Sequence, residues 1–84
     1  MTENVRETIL NLITTLLEED GLPVPPIVDD TVLLETGLDS LGFAVLVTQL
    51  ESVLGYDPFT IMSEAVYPRT LSEFVSIYVE YAPD

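Results

Sequence analysis

The sequence predicts an all-α fold formed by one small domain. Apolar residues recur at helical spacing in three stretches, and proline and glycine separate these stretches. No stretch alternates apolar and polar residues as a half-buried strand does. With 84 residues, 48% of them hydrophobic, the chain can bury one modest core. We therefore expect residues 1–84 to form a single domain with three longer helices and one short helix.

The first helix is predicted from Thr2 to Asp20, where Thr2 can cap the start and Gly21 suits a left-handed end. Its apolar stripe is Val5, Ile9, Leu12, Ile13, Leu16 and Leu17. A long loop should occupy residues 22–38, because three prolines near its start are incompatible with a regular helix. The apolar loop residues expected to hold it against the core are Ile27, Val28, Leu33, Leu34 and Leu38.

The second helix should begin at Asp39 or Ser40, either of which can cap it, and end near Leu54 before Gly55. Its expected core stripe is Phe43, Leu46, Val47, Leu50 and Leu54. Asp57 followed by proline predicts a short helix or turn within about 58–66. The capping-box pattern of Thr70 and Glu73 opens the last helix.

Charge and composition exclude several classes of function. Two basic residues against 15 acidic ones give a net charge of −13, which is incompatible with binding to a nucleic-acid backbone and argues against an anionic membrane surface. The chain has no His and no Cys, so it lacks the usual general base, metal ligands and thiol nucleophile. We expect a cytoplasmic monomer that has no catalytic residues and no metal site.

The run from Gly37 to Leu41, Gly-Leu-Asp-Ser-Leu, places a serine hydroxyl at the start of a helix after a long loop. Free N–H groups and the positive end of the helix dipole favour a phosphate group at such a position. A serine before a helix is more commonly a simple cap, so this run is weak evidence when taken alone.

The pattern along nearly the whole chain resembles the acyl carrier protein family. The matching features are an amphipathic first helix from Val5 to Leu17, a long loop with Leu33, and the Asp39-Ser40-Leu41 signature at the second helix. Further matches are Leu46, Val47, Leu50-Glu51, Leu54, Phe59 and residues 71–82. The resemblance implies an acyl-carrier-like four-helix bundle.

The resemblance also implies a function. Ser40, flanked by Asp39 and Leu41, would carry 4′-phosphopantetheine, transferred from coenzyme A by a separate phosphopantetheinyl transferase that uses Mg²⁺. The thiol of that arm would hold an acyl or aminoacyl group as a thioester. An acyl- or aminoacyl-loading enzyme and a downstream synthase or transferase would be the other partners. These would approach the start of the second helix, at Leu41, Ala44, Val45, Thr48 and Glu51.

Two departures from the family pattern bear on the pathway. Fatty-acid-synthesis carriers have acidic residues along the exposed side of the second helix, where this chain has Gly42, Val45 and Ser52. Peptidyl carriers have Gly-Gly before the serine region, where this chain has Leu38-Asp39. We therefore expect a free-standing carrier in specialised biosynthesis, of the polyketide, nonribosomal-peptide or lipid type, with either acyl or aminoacyl cargo.

Three alternatives rest on other features. The second helix is apolar on more than one side, which suits a helical interaction module without a prosthetic group. The acidity suggests calcium binding, but no loop has the acidic spacing of a calcium site. A hydrolase that uses Ser40 would lack a general base.

Overall fold

The computed structural model describes residues 2–62 and 68–82, with side chains from residue 5 onward. Within these residues the chain forms four α-helices and no β-strand: α1 (Thr2–Glu19), α2 (Ser40–Leu54), α3 (Pro58–Ile61) and α4 (Leu71–Glu80). The all-α, acyl-carrier-like bundle predicted from the sequence is confirmed. None of the described helices is long and apolar enough to cross a membrane.

The helix boundaries agree with the sequence patterns, with small differences. Helix α1 ends one residue before Asp20, and Gly21 follows with a φ of 72°. The predicted Thr2 cap depends on a side chain outside the described ones. Helix α3 is a single turn, and residues 63–67 of the predicted short-helix region lie outside the described residues.

The core lies where α1 packs against α2 and α4. Apolar side chains at helical spacing supply it, and their burial from water is the main favourable contribution to folding. Its fully buried members include Ile9, Ile13, Leu17, Leu33, Leu46, Leu50, Leu71, Phe74 and Tyr78. On α2, Phe43, Val47 and Leu54 are partly buried against this core, as the stripe predicts.

The long loop contains a 3₁₀ turn and a β-bridge that the sequence did not predict. A 3₁₀ turn covers Leu33–Glu35, and Val32 forms an isolated antiparallel bridge with Thr70. Leu33 N–H donates to the carbonyl of Arg69 at 2.9 Å, and Leu71 N–H donates to the carbonyl of Thr31 at 3.0 Å. The middle of the loop is thereby fixed to the start of α4.

Two loop residues expected to face the core do not. Leu33 and Leu38 are buried and Ile27 is partly buried, but Val28 is 58% exposed and Leu34 is 57% exposed. A 3₁₀ turn has three residues per turn, so when Leu33 faces the core its neighbour Leu34 faces elsewhere. Val28 begins a tight turn in which Thr31 N–H donates to its carbonyl at 3.0 Å, and its side chain stays on the outside of that turn.

Candidate functional site

At the start of α2, one residue, Asp39, caps the helix, and the next, Ser40, exposes its hydroxyl. The Asp39 carboxylate accepts a hydrogen bond from Gly42 N–H at 2.7 Å, so Asp39 is the cap. Ser40 is the first residue of the helix and is exposed, and its hydroxyl has no hydrogen-bond partner among the described residues. The simple-cap interpretation of Ser40 is therefore wrong, because Asp39 already satisfies the helix amide.

The residues just before α2 direct the chain into this turn. Gly37 has a φ of 109°, a left-handed conformation that strains any residue with a Cβ. Leu38 is buried and anchors the loop, and Thr36 is buried with its hydroxyl donating to the carbonyl of Leu33 at 2.6 Å. These fixed points place Asp39 and Ser40 at the surface.

A mostly apolar cavity of about 500 Å³ opens beside Ser40. Its volume is within the range of small-molecule sites. The described residues that line it are Leu34, Ser40, Phe43, Ala44, Val47, Phe59 and Pro68. Ser40 is the one polar side chain among them, so the cavity suits an apolar group held next to that residue.

Aromatic rings form the wall between the cavity and the core. The Phe43 and Phe74 ring centroids are 5.3 Å apart, and those of Phe59 and Phe74 are 6.1 Å apart. Phe74 also contacts Tyr78, with centroids 5.0 Å apart. Burial raises the pKa of the Tyr78 phenol, with the negative charge of Asp57 nearby as a further cause. Phe43 and Phe59 thus line the cavity and also pack against the core.

The five residues expected at a partner surface are all exposed. Leu41 is 74% exposed, and Ala44, Val45, Thr48 and Glu51 follow it along the same helix. The Thr48 hydroxyl donates to the carbonyl of Ala44 at 3.0 Å, which leaves this surface still less polar. Glu51 is the only carboxylate of the five.

Among the described residues, no group of three or more His, Cys, Asp or Glu side chains is arranged to hold a metal ion. Sequence reasoning did not identify Leu34, Phe59 and Pro68 as lining residues, and it assigned Phe43 and Val47 only to the core stripe. The cavity joins three segments that are distant in sequence, and no local pattern could indicate this.

A comparison with protein families decides the assignment. Residues 7–75 match the family described as the phosphopantetheine attachment site. The chain belongs to this family of phosphopantetheine-binding carrier proteins. Neither a search of curated proteins nor a search of solved structures gives a significant match.

Membership establishes the general role. Proteins of this family bind 4′-phosphopantetheine covalently and are non-catalytic carriers. They interact with a phosphopantetheinyl transferase and with the enzymes that act on their cargo. The exposed, unpartnered hydroxyl of Ser40 fits such a group, because nothing in the described structure competes for that oxygen.

Proposed function

We propose that residues 1–84 act as one carrier domain whose attachment residue is Ser40. The observation that carries this proposal is the combination of an exposed hydroxyl, a helix start and the mouth of an apolar cavity in one residue. Ser52, Ser72 and Ser76 are also exposed, but none of them lines that cavity. Asp39 holds the first turn of α2 by capping it, and Leu41 extends the exposed apolar surface next to Ser40.

The bound arm would supply a thiol that holds the cargo as a thioester, which the chain cannot supply because it has no Cys. The chain's own residues position the attachment point and shape its surroundings. Phe43, Val47 and Phe59 give the cavity beside it an apolar lining. The chain itself catalyses no step and presents its cargo to partner enzymes.

The cavity favours an acyl cargo with an apolar chain. A charged amino acid would lose its hydration in a space lined by aliphatic and aromatic side chains, and the described lining residues include no charged side chain to compensate. An acyl chain would instead bury apolar surface there. We therefore propose an acyl carrier and not an aminoacyl carrier.

The exposed surface of α2 supports the proposal that the carrier works in specialised biosynthesis. Leu41, Ala44 and Val45 are exposed and apolar, and no acid lies between Asp39 and Glu51. Partners that recognise this surface would bind through apolar contact more than through charge. Such a partner set differs from that of carriers whose second helix is acidic. It suits a dedicated pathway, which for an acyl cargo is of the polyketide or related lipid type and not of the nonribosomal-peptide type.

Two linked measurements test this function. Incubation with coenzyme A and a broad-specificity transferase should raise the intact mass by one phosphopantetheine group. An unchanged mass would contradict the carrier role. The octanoyl-loaded protein should then melt at a higher temperature than the acetyl-loaded protein, because the longer chain fills the cavity.

Substitution of two α2 valines makes the cargo test specific. Val47→Ser, in the cavity wall, should reduce the difference in Tm between octanoyl and acetyl forms. Val53→Ser, at a 60% exposed position away from the cavity, should leave that difference unchanged. Equal Tm values for the two loaded forms of the unsubstituted protein would contradict an apolar acyl cargo while leaving the carrier role intact.

A further inference from the structure

A proline-rich segment joins α1 to the rest of the loop at residues 22–28, with the sequence Leu-Pro-Val-Pro-Pro-Ile-Val. Pro23, Pro25 and Pro26 fix their own φ near −65°, and each residue that precedes a proline is pushed to extended conformations. Residues 22–26 are thus all restricted by proline chemistry. The structure shows no helix or strand over residues 22–28 and no positive φ among them. These restrictions favour a left-handed polyproline II conformation, which at ~3.1 Å per residue spans about 15 Å over five residues.

Between its two end residues, Leu22 and Val28, the backbone of this segment leaves its hydrogen-bonding groups unused within the described structure. In the described part of the chain, no N–H or C=O of residues 23–27 takes part in a hydrogen bond. The prolines also remove three of the five N–H groups in that range. An added β-strand needs those donors, so the segment is unsuited to pairing with a sheet edge. It retains its carbonyl groups, which can accept hydrogen bonds from donors in a polyproline-binding groove.

Both ends of the segment are fixed to the body of the protein. At the start, Leu22 N–H donates to the carbonyl of Leu17 at 2.9 Å. At the end, Arg6 forms an ion pair with Asp29 at 2.5 Å, and Ser72 N–H donates to the carbonyl of Asp29 at 3.0 Å. A segment that is anchored at both ends and stiffened by proline loses little conformational freedom when it is bound.

The side chains divide into an inner and an outer set. Ile27 packs against the core, and Pro25 is partly buried. The outer set is exposed although it is apolar, and it consists of Leu22, Pro23, Val24, Pro26 and Val28. The outer face therefore presents prolines and aliphatic residues in an extended row, which is the pattern that aromatic-lined grooves bind.

Exposed acidic residues lie at both ends of the row. Glu18, Glu19 and Asp20 precede it, and Asp30 follows it, next to the Asp29 that is paired with Arg6. Opposite charges around a binding groove steer and orient the partner. A partner that fits this row therefore carries Lys or Arg at each end of its groove.

We propose that residues 22–28 are a preformed polyproline II ligand for a partner protein whose groove is lined by aromatic side chains and bordered by basic residues. This site is separate from the exposed face of α2, and the proposal does not rest on Ser40 modification. It does lie near the entry to α2, since a Cβ added to Gly37 would lie 3.4 Å from Leu22 Cδ1. A protein bound to residues 22–28 is thus held close to the attachment serine.

Site-specific cross-linking identifies the partner. A photoreactive benzoylphenylalanine at Val24 in the full chain, expressed in its native host, should cross-link to one protein through a groove with aromatic and basic residues. The same group at Val53, another exposed valine, is the control. No cross-link beyond the Val53 control, a cross-link to a sheet edge, or one to a second copy of this chain would overturn the proposal.

Once cross-linking has identified the partner, calorimetric titration with that protein, purified without the cross-link, tests which residues bind it. The double variant Pro23→Ala/Pro26→Ala should raise the Kd about tenfold or more, while Val53→Ser should leave it unchanged. The unsubstituted protein should bind more weakly as NaCl rises, because the acidic ends are exposed to screening. Circular dichroism and the coenzyme A mass assay should both be unchanged in the double variant, so failure of this site is distinguishable from failure of the carrier function. An unchanged Kd for the folded double variant would overturn the proposal. A Kd that does not change with NaCl would show that the partner's groove is not bordered by basic residues.

Discussion

Gly42 and Leu38 lie in close contact where the loop enters α2. A Cβ added to Gly42 would lie 3.0 Å from Leu38 Cδ1 and 3.2 Å from the Asp39 carboxylate oxygen that caps the helix. Both neighbours are restrained, since Leu38 is buried and Asp39 is bonded to Gly42 N–H. The absence of a side chain at Gly42 thus allows Leu38 and Asp39 to hold Ser40 at the surface.

Gly42→Ala should therefore destabilise the protein. Alanine inside a helix ordinarily gains about 1 kcal/mol over glycine, but here the added methyl displaces the anchor or the cap. Ser52→Ala, at an exposed position of the same helix, is the matched control and should be neutral or slightly stabilising. Urea denaturation measures both free energies of unfolding. A Gly42→Ala protein as stable as the unsubstituted protein would show that the contact relaxes freely.

Tyr56 and Tyr78, whose ring centroids are 5.9 Å apart, should respond to loss of their hydroxyl groups in opposite directions. The Tyr78 hydroxyl is buried with no hydrogen-bond partner among the described residues, whereas the Tyr56 hydroxyl donates to the Tyr78 carbonyl at 2.6 Å. An unpartnered buried polar group costs roughly 1–3 kcal/mol, and a made hydrogen bond contributes about 1 kcal/mol. Tyr78→Phe should thus raise the free energy of unfolding, and Tyr56→Phe should lower it. Thermal and urea denaturation compare the two variants, and destabilisation by Tyr78→Phe would contradict the described environment of its hydroxyl.

The sequence predicts features that depend on neighbouring residues, such as helix caps. It does not predict contacts between segments that are distant along the chain. The capping box of Thr70 and Glu73 and the cap at Asp39 depend on residues three apart or fewer, and the structure contains both. Leu34 was assigned to the core because hydrophobicity alone does not reveal which side of a short turn a residue faces. The cavity beside Ser40 could not be predicted, since Leu34, Phe59 and Pro68 come together only through tertiary packing.

Glu73 should titrate below its usual range. Its carboxylate accepts hydrogen bonds from Arg69 N–H at 2.7 Å and Thr70 N–H at 3.4 Å, and these bonds lower its pKa. A folded-state pKa below the unfolded value means that the stabilisation is present above the unfolded pKa and is lost as the pH falls through the folded pKa. The advantage in stability of the unsubstituted protein over Glu73→Gln should therefore shrink on acidification.

Carbon-detected NMR titration of the Glu73 carboxyl group measures this pKa directly. Thr70→Ala is the informative control, because it removes the cap hydroxyl but keeps both backbone donors. This variant should lose about 1 kcal/mol of stability, as other removed caps do. Its Glu73 pKa should stay low, and an ordinary Glu73 pKa in the unsubstituted protein would contradict the described capping box.

The apolar face of α2 predicts how partner enzymes respond to charge. Val45→Glu places a carboxylate in the middle of the exposed surface formed by Leu41, Ala44, Val45, Thr48 and Glu51, and it should slow transfer to the cognate partner about tenfold or more. Glu51→Gln removes the only acid of that surface and should have a much smaller effect. Transfer rates of the loaded proteins measure both, with circular dichroism to verify folding. Normal transfer by folded Val45→Glu, together with a steep loss of affinity as NaCl rises, would show that partners recognise charge.

The most direct test of the account is the site of modification. Unsubstituted protein, Ser40→Ala and Ser72→Ala are each incubated with coenzyme A and a broad-specificity phosphopantetheinyl transferase, and their intact and peptide masses are measured. Ser72 is the matched control because it is an exposed serine in the first turn of α4. We predict a gain of one phosphopantetheine group on the peptide that contains Ser40 in the unsubstituted and Ser72→Ala proteins, and no gain in folded Ser40→Ala. A full gain in Ser40→Ala would contradict the assignment of Ser40 as the attachment residue.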